Sequence, residues 1–254
     1  MAKIVSKVPA LVRSLLILDY IRLHQHCTIS ELVDNLELPR SSIYVLVDEL
    51  ISSDLIRQNS DGTLQLWMRL ISLGRAAAEQ LNLKDLVLPE LEWLLSEVDC
   101  LAVHYGVMEG MKAFYALKLV SPRASMQIMS REGMEVSLLH AGLGKCLLAF
   151  QSICIQEQII NGLDYTKVTP TSLSSPEELR AELHKIREQR WAFDNSEGEA
   201  EIRCVAVPVF GPEQQLLGAV SLVGTVSRFK LEEIPILVKA TQECVTRIET
   251  KFSK

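Results

Sequence analysis

The sequence predicts an α+β protein in which a mostly helical first third precedes a larger part that mixes helices and strands. Up to residue 67, apolar residues recur mainly at helical spacing, and a short hairpin pattern follows them. Beyond Asp99, strand-like apolar runs alternate with helical segments. Hydrophobic residues make up 48% and charged residues 23% of the 254 residues, which excludes collagen-like, low-complexity and disordered chains.

Three helices are predicted in the first 52 residues. Pro9 is suited to begin a first helix that runs to about His26. Thr28 and Glu31 have the spacing of a capping box at the start of a second helix. Pro39 precedes a third helix, whose apolar stripe consists of Ile43, Leu46, Val47, Leu50 and Ile51.

A hairpin is predicted directly after these helices. Two extended runs, 55–58 and 63–66, flank the Asp61-Gly62 pair, which is typical of a tight turn. Three helices and a two-stranded wing form the winged helix-turn-helix arrangement, which favours DNA binding by the exposed face of the third helix. Taken alone, that helix would be read as a solvated surface helix. The predicted DNA contacts are Arg13, Arg40, Ser41, Ser42, Tyr44 and Arg57.

The charge balance restricts how DNA could be bound. The chain has a net charge of −6 and a pI near 5.5, which taken alone argues against a nucleic-acid partner. Residues 1–81 hold eight Lys and Arg against nine Asp and Glu, so most of the acidity belongs to the remaining residues. DNA binding must therefore depend on locally placed basic side chains, and we expect it to be sensitive to salt.

The rest of the chain reads as a linking helix and a larger α+β part with an antiparallel or mixed sheet. The linking helix covers 68–83. Polar residues 194–203 read as a loop that enters a buried strand at Cys204. The other predicted elements are an apolar helix containing Pro89, helices 140–150, 176–189 and 231–252, and strands 101–107, 113–120, 204–210 and 216–226.

The residue pattern argues against a disulfide framework, a metal site and a membrane or secreted location. The six cysteines are scattered without a CxxC pair, which favours reduced, mostly buried thiols and a cytoplasmic protein. The histidines lack ligand spacing, so neither a metal nor another cofactor is expected. No apolar stretch reaches the roughly 18 residues of a membrane helix, and no secretory signal is evident.

Two motifs suggest chemistry in the second part. Gly142-Leu143-Gly144-Lys145 looks like a phosphate-binding loop, but Leu139 and Cys146 replace its first glycine and its hydroxyl residue. The helix amides at this point still suit a small anion or a carboxylate. Cys204 could act as a nucleophile only beside a base such as His140 or His104, and the spacing gives no support for that arrangement.

The motifs taken together resemble those of the IclR family of transcriptional regulators, named for the isocitrate lyase regulator. The resemblance covers nearly the whole chain. Each matching segment is weak by itself, but the order and spacing of the segments together are specific. The matching segments are Val8–Leu18, Leu38–Tyr44, Leu64–Leu66, Ala141–Phe150, Pro176–Arg180, Ile186–Gln189, Asp194 with Glu197, and Arg203–Phe210. The chain departs from the family pattern at Val45, Arg190, Glu201, the stretch 134–137 and Val223.

The resemblance implies a three-part organisation. Residues 1–67 would form the winged helix-turn-helix DNA-binding domain, 68–84 a linker helix, and 85–254 a GAF-like domain for effector binding and oligomerisation. The implied effector is a small organic or sugar acid, and the implied partners are a palindromic DNA operator and further copies of the chain, as a homodimer or homotetramer. The implied effector contacts are Ala141, Gly142, Asp194, Cys204 and Ser221.

The function predicted on these grounds is a ligand-responsive regulator of a catabolic operon, without enzymatic activity. Repression is the expected mode, with activation as the alternative. Two other hypotheses remain open at this point: an enzyme that uses Cys204, and a binding module that acts on DNA only through a related regulator.

Overall fold

The computed structural model describes residues 7–80, 83–124 and 126–252. Contacts divide the chain into two compact units, with the division after Leu81. The boundaries predicted at residues 67 and 84 remain predictions, because the division coincides with neither of them.

The helices of the first unit follow the predicted pattern. They are α1 Pro9–His24, α2 Ile29–Asn35 and α3 Arg40–Ser52. Helix α1 ends two residues earlier than predicted, because Gln25 and His26 adopt positive φ angles of 35° and 72°. The capping box is confirmed: the Glu31 amide donates to Thr28 Oγ1, and the Thr28 amide donates to Glu31 Oε2 at 2.7 Å.

The predicted two-stranded wing is present as β2 and β3, and a short strand that was not predicted, β1, extends it to an antiparallel sheet with the order β1-β3-β2. Its strands are β1 Cys27–Thr28, β2 Ile56–Gln58 and β3 Thr63–Leu66. Gly62 has a φ of +84°, a backbone conformation that glycine adopts without strain. Helix α4, Met68–Gln80, follows the wing, so the predicted linking helix is observed; residues 81 and 82 of its predicted range lie outside the described residues.

The second unit is built on an antiparallel sheet with the order β6-β5-β4-β9-β8-β7 in the described residues. Its strands are β4 Ala102–Glu109, β5 Lys112–Val120, β6 Glu135–Val136, β7 Ala192–Asn195, β8 Ile202–Phe210 and β9 Leu216–Thr225. Its helices are α5 Leu83–Leu86, α6 Leu88–Glu97, α7 Gly142–Ala149, α8 Ile153–Ile160, α9 Pro176–Gln189 and α10 Ile234–Phe252, the last preceded by a 3-10 turn at Leu231–Glu233.

The two faces of this sheet carry residues of different size. One face presents large apolar side chains, such as Val205, Val220 and Leu222, which pack into one core with residues of α6 and α10. The opposite face presents Ala206 and Ala219 to α7. Small residues on that face allow α7 to approach the strands closely, and this close approach forms one wall of the pocket described next.

Several predicted elements need correction. The segment 194–203 is not simply a loop, because Asp194 and Asn195 belong to β7 and pair with Cys204 and Arg203. The helix predicted over 140–150 begins at Gly142 and ends at Ala149. Helix α8 was not predicted, since its eight residues are too few to show a clear helical period.

Candidate functional site

The exposed face of α3 is the candidate DNA interface. Ile43, Val47 and Leu50 are buried, whereas Arg40 and Ser41 in the first turn of the helix lie in solvent. Tyr44 and Val45 on that face are 41% and 62% exposed. The first turn of α3 contains no acidic residue, and Pro39 at its N-cap provides no side-chain acceptor for the helix amides. This end of the helix is therefore electrostatically suited to a phosphate group.

The other predicted DNA contacts lie beside this face or on the wing. Arg13 on α1 donates to Ser42 Oγ at 3.4 Å, which joins α1 to the first turn of α3. The Arg57 guanidinium on β2 lies 4.7 Å from the Trp67 ring centroid, and Arg57 remains exposed. The structure thus places Arg13, Arg40, Ser41, Ser42 and Tyr44 around one helix end, with Arg57 on the wing.

A cavity of about 210 Å³ in the second unit is the candidate ligand site. All five predicted effector contacts lie around it. Its lining includes Ala141, Gly142, Asp194, Cys204 and Ser221, together with His104, Tyr115, Ile128, Ser130, His140, Glu199 and Val223. Adjacent strands bring these residues together, since Cys204 pairs with both Asp194 and Val223 in the sheet register.

The N-terminus of α7 forms one end of this cavity. Ala141 at the N-cap has no side chain that could accept hydrogen bonds from the amides of the first helical turn. A Cβ atom on Gly142 would lie 3.2 Å from Cys204 Sγ and 3.3 Å from the Asp194 Cβ. Glycine is therefore the residue that lets the helix end approach both β7 and β8.

Asp194 is the carboxyl group in the cavity whose pKa is shifted into the neutral range. Burial raises the pKa of its carboxyl group to about 7, and the negative charges of Glu197 and Glu199 act in the same direction. The Glu197 amide donates to Asp194 Oδ1 at 2.8 Å and opposes this rise, as does the charge of Lys145. Asp194 can therefore act near neutral pH either as a neutral donor or as an anionic acceptor.

Lys145 is engaged in a buried ion pair rather than directed at a phosphate. Its Nζ donates to Glu197 Oε1 at 2.5 Å and to the Phe193 carbonyl at 3.3 Å. Lys145 does not line the cavity. The sequence predicts a polar loop for the segment that contains Glu197, whereas the fold buries this side chain against a lysine 52 residues away.

Cys204 lies in the same cavity as His104 and His140, an arrangement that the sequence spacing did not indicate. Burial, followed by the negative charge of Asp194, raises the pKa of the Cys204 thiol to about 12. The thiol therefore stays protonated at neutral pH, whereas the thiolate is the nucleophilic form. The two ring nitrogens of His104 are hydrogen-bonded to Ser130 and Ser221. The geometry thus does not favour the Cys204 enzyme hypothesis.

His104, Ser130 and Tyr115 line the cavity but were not among the predicted effector contacts, and His104 was considered only as a base for Cys204. His104 Nε2 lies 2.9 Å from Ser130 Oγ, and His104 Nδ1 lies 3.3 Å from Ser221 Oγ. The His104 and Tyr115 rings are 4.8 Å apart between centroids. Burial, with a smaller effect of Lys118, lowers the pKa of His104 to about 3. A lone histidine inside an apolar strand was the one available signal for this group.

The described residues contain neither a metal-binding cluster nor a membrane-spanning helix. Within 7–80, 83–124 and 126–252, no group of three or more His, Cys, Asp or Glu residues is placed to hold a metal ion. In the same part of the chain, no helix combines the length and apolarity needed to cross a membrane.

The fold and the comparisons define the class of protein. A winged helix-turn-helix unit with an exposed recognition helix is the mark of a DNA-binding transcriptional regulator. Residues 10–60 match the model of the IclR helix-turn-helix domain, and residues 75–250 match that of the bacterial transcriptional regulator IclR C-terminal domain. The chain belongs to the IclR family of transcriptional regulators.

Individual relatives agree with this assignment. The chain is 39% identical over 220 residues to the HTH-type transcriptional regulator RhmR of Escherichia coli K12, covering 87% of this chain and 84% of the relative. The Thermotoga maritima IclR structure matches with a TM-score of 0.77 and 25% identity, covering 97% of this chain and all of that one. The relatives are named as regulators, and the family is one of DNA-binding regulators rather than enzymes.

A further solved structure shares the fold and carries a ligand. It is an IclR homologue from Microbacterium hydrocarbonoxydans, complexed with 4-hydroxybenzoate. Its TM-score is 0.81 at 23% identity, and the match covers 96% of this chain and 98% of that one.

Proposed function

We propose that the protein is a cytoplasmic, ligand-responsive repressor of a catabolic operon, in which a small carboxylate in the second-unit cavity changes the affinity for a palindromic operator. The observation that carries this proposal is the cavity itself. Ala141, Gly142, Asp194, Cys204 and Ser221 come from separate parts of the chain, yet all of them line it. Effector binding would shift the population between DNA-competent and DNA-incompetent arrangements.

A carboxylate fits the α7 end of the cavity. Ala141 at the N-cap offers the helix amides no side-chain acceptor, and the helix dipole favours a negative charge beside them. His140 Nδ1, at the rim of the same cavity, is buried with no hydrogen-bond partner among the described residues. Burial lowers the pKa of His140, so its neutral ring can donate to a carboxylate oxygen. The 4-hydroxybenzoate in the related structure is also a carboxylate.

A dimer on a palindromic operator is supported by the first unit. Recognition helices bind successive major grooves when a two-fold symmetric dimer presents one from each copy. Apolar side chains are exposed along α1 and α4, which suits an interface between copies. These exposed residues are Leu11, Leu15, Leu16, Leu23, Met68, Ile71 and Leu73. A tetramer would need a second interface of this kind.

Two measurements test the proposal. In a mobility-shift assay, the purified protein should retard a palindromic fragment from the region upstream of its own gene, with an affinity that falls as salt rises. In a thermal-shift screen, at least one small carboxylate should raise the unfolding midpoint and also weaken the DNA complex. Binding to DNA only when a related regulator is added would favour the binding-module hypothesis. Tighter DNA binding on addition of the carboxylate would indicate activation or co-repression instead.

A further inference from the structure

The cavity has a second polar end that a carboxylate does not explain. His104, Ser130 and Ser221 lie in a hydrogen-bonded row, and each of these residues is at least nine-tenths buried. We propose that this row recognises a hydroxyl group of the effector that is remote from its carboxylate, with His104 as the residue that sets this specificity. The inference rests on the proposed function, since it assumes that the cavity is the effector site.

The sheet register places the two ends apart. Cys204, which contacts the α7 end, pairs with Val223, whereas Ser221 pairs with both His104 and Ala206. The Ser221 hydroxyl is also within hydrogen-bond reach of the Cys204 thiol, so Ser221 lies between the two ends. His104 lies on β4, two strands away from Cys204 on β8, which corresponds to about 10 Å. A ligand whose carboxylate lies at Gly142 would therefore reach His104 only with a group several bonds away. An α-hydroxyl group would stay close to Asp194 and Cys204.

The hydrogen-bonding capacity of the row suits a hydroxyl group. A neutral imidazole has one donor and one acceptor, so one serine must donate to the ring and the other must accept from it. The accepting serine keeps its own proton, and the donating serine keeps free lone pairs. The row can therefore offer a donor or an acceptor to the cavity, and a ligand hydroxyl can use either one.

The electrostatics of the row exclude a second anion at this end. His104 stays uncharged at neutral pH because its burial strongly disfavours the protonated form. Lys118 lies nearby, but its Nζ donates to the carbonyls of Ile128 and Ser130 at 3.0 and 2.5 Å. Lys118 does not line the cavity. Buried charge without a partner is costly, so a neutral polar group is the fitting occupant.

The position of Ser130 is set by the same contacts. Ser130 belongs to the segment between β5 and β6, and Lys118 on β5 holds this segment through its two carbonyl contacts. The Lys118 amide also donates to Glu132 Oε1 at 3.0 Å. The hydroxyl of Ser130 is therefore held at His104 by the loop framework and does not depend on a ligand. Such preorganisation favours specificity, because the polar group need not be ordered on binding.

Isothermal titration with matched acids tests the inference. The pairs are benzoate with 4-hydroxybenzoate, butyrate with 4-hydroxybutyrate, and hexanoate with 6-hydroxyhexanoate, each differing by one remote hydroxyl. For at least one pair, the wild-type protein should bind the hydroxylated acid about tenfold more tightly, as one additional hydrogen bond provides. In Ser130→Ala and His104→Phe, this preference should fall to near unity while the acid without the hydroxyl still binds.

Ser121→Ala is the matched control. Ser121 is buried in the same loop and accepts from the Arg123 amide, but it does not line the cavity, so this variant should keep the wild-type preference. A panel in which no hydroxylated acid binds more tightly than its partner would overturn the inference, as would an unchanged preference in Ser130→Ala. If such acids release the protein from its operator without any preference for the hydroxyl group, the proposed function is supported and only this inference is contradicted.

Discussion

Lys145 Nζ and Glu197 Oε1 lie 2.5 Å apart, and both side chains are buried, with 0% and 8% of their surface exposed. This ion pair connects α7 to the turn that follows β7, the strand on which Asp194 lines the cavity. The Glu197 carbonyl is further held by the hydroxyl groups of Thr169 and Ser172 at 3.1 and 2.7 Å. The geometry of the candidate ligand site therefore depends on a charge pair that does not line the cavity itself.

Replacing Lys145 with Met should destabilise the second unit by about 3–5 kcal/mol, because Glu197 would stay buried without its partner. Urea denaturation followed by circular dichroism measures this change. Lys112→Met is the matched control, since Lys112 and Glu135 lie 2.6 Å apart but are 61% and 51% exposed. We expect that control to stay close to wild type. Equal losses in the two variants would contradict a special role for the buried pair.

Asp194→Asn should remove a pH dependence of carboxylate binding. The raised pKa of Asp194, about 7, makes this side chain neutral below pH 7 and anionic above it. An anionic ligand is repelled by the ionised form only, so wild-type affinity should fall as pH rises through 7, by up to about tenfold per unit above it. Titration calorimetry with 4-hydroxybenzoate from pH 6 to 8 measures this slope. A slope that persists in Asp194→Asn would assign it to another group, such as His140.

Gly142→Ala should weaken carboxylate binding at the end of α7. The added methyl group would lie 3.2 Å from Cys204 Sγ and would occupy the helix end where the carboxylate is expected. We expect a loss of affinity of about tenfold or more. Gly198→Ala is the control, because a Cβ there would make ordinary contacts of 3.5 Å or more at the rim of the same cavity. Similar affinities in the two variants would argue against a carboxylate at the end of α7.

Substitutions on α3 should change the salt dependence of DNA binding. Arg40→Ala should reduce the slope of log affinity against log salt by about one, because one phosphate contact is lost. Val45→Arg should increase the slope by about one, since this position is 62% exposed on the same face. Arg22→Ala is the control, because Arg22 pairs with Asp19 at 3.1 Å on α1. Unchanged slopes in both α3 variants would place the DNA contacts elsewhere.

The sequence by itself determined the local elements of this protein. The stripe on α3, the Thr28–Glu31 capping box and the turn at Gly62 depend on residues within a few positions of each other. Their energetics are set by helical spacing, capping and backbone conformation, all of which can be read from a short segment. The resemblance added the family and five predicted effector contacts, all of which line one cavity.

Only the tertiary structure decided how distant polar residues are combined. His104 and Ser221 are 117 positions apart, and Lys145 and Glu197 are 52 apart. Their contacts depend on the register of β4 against β9 and on the packing of α7 against small residues of the sheet. Strand register and helix packing are fixed by burial of the whole core, which no short segment encodes. Burial also sets the charge states of Asp194 and His104, and through them the chemistry of the cavity.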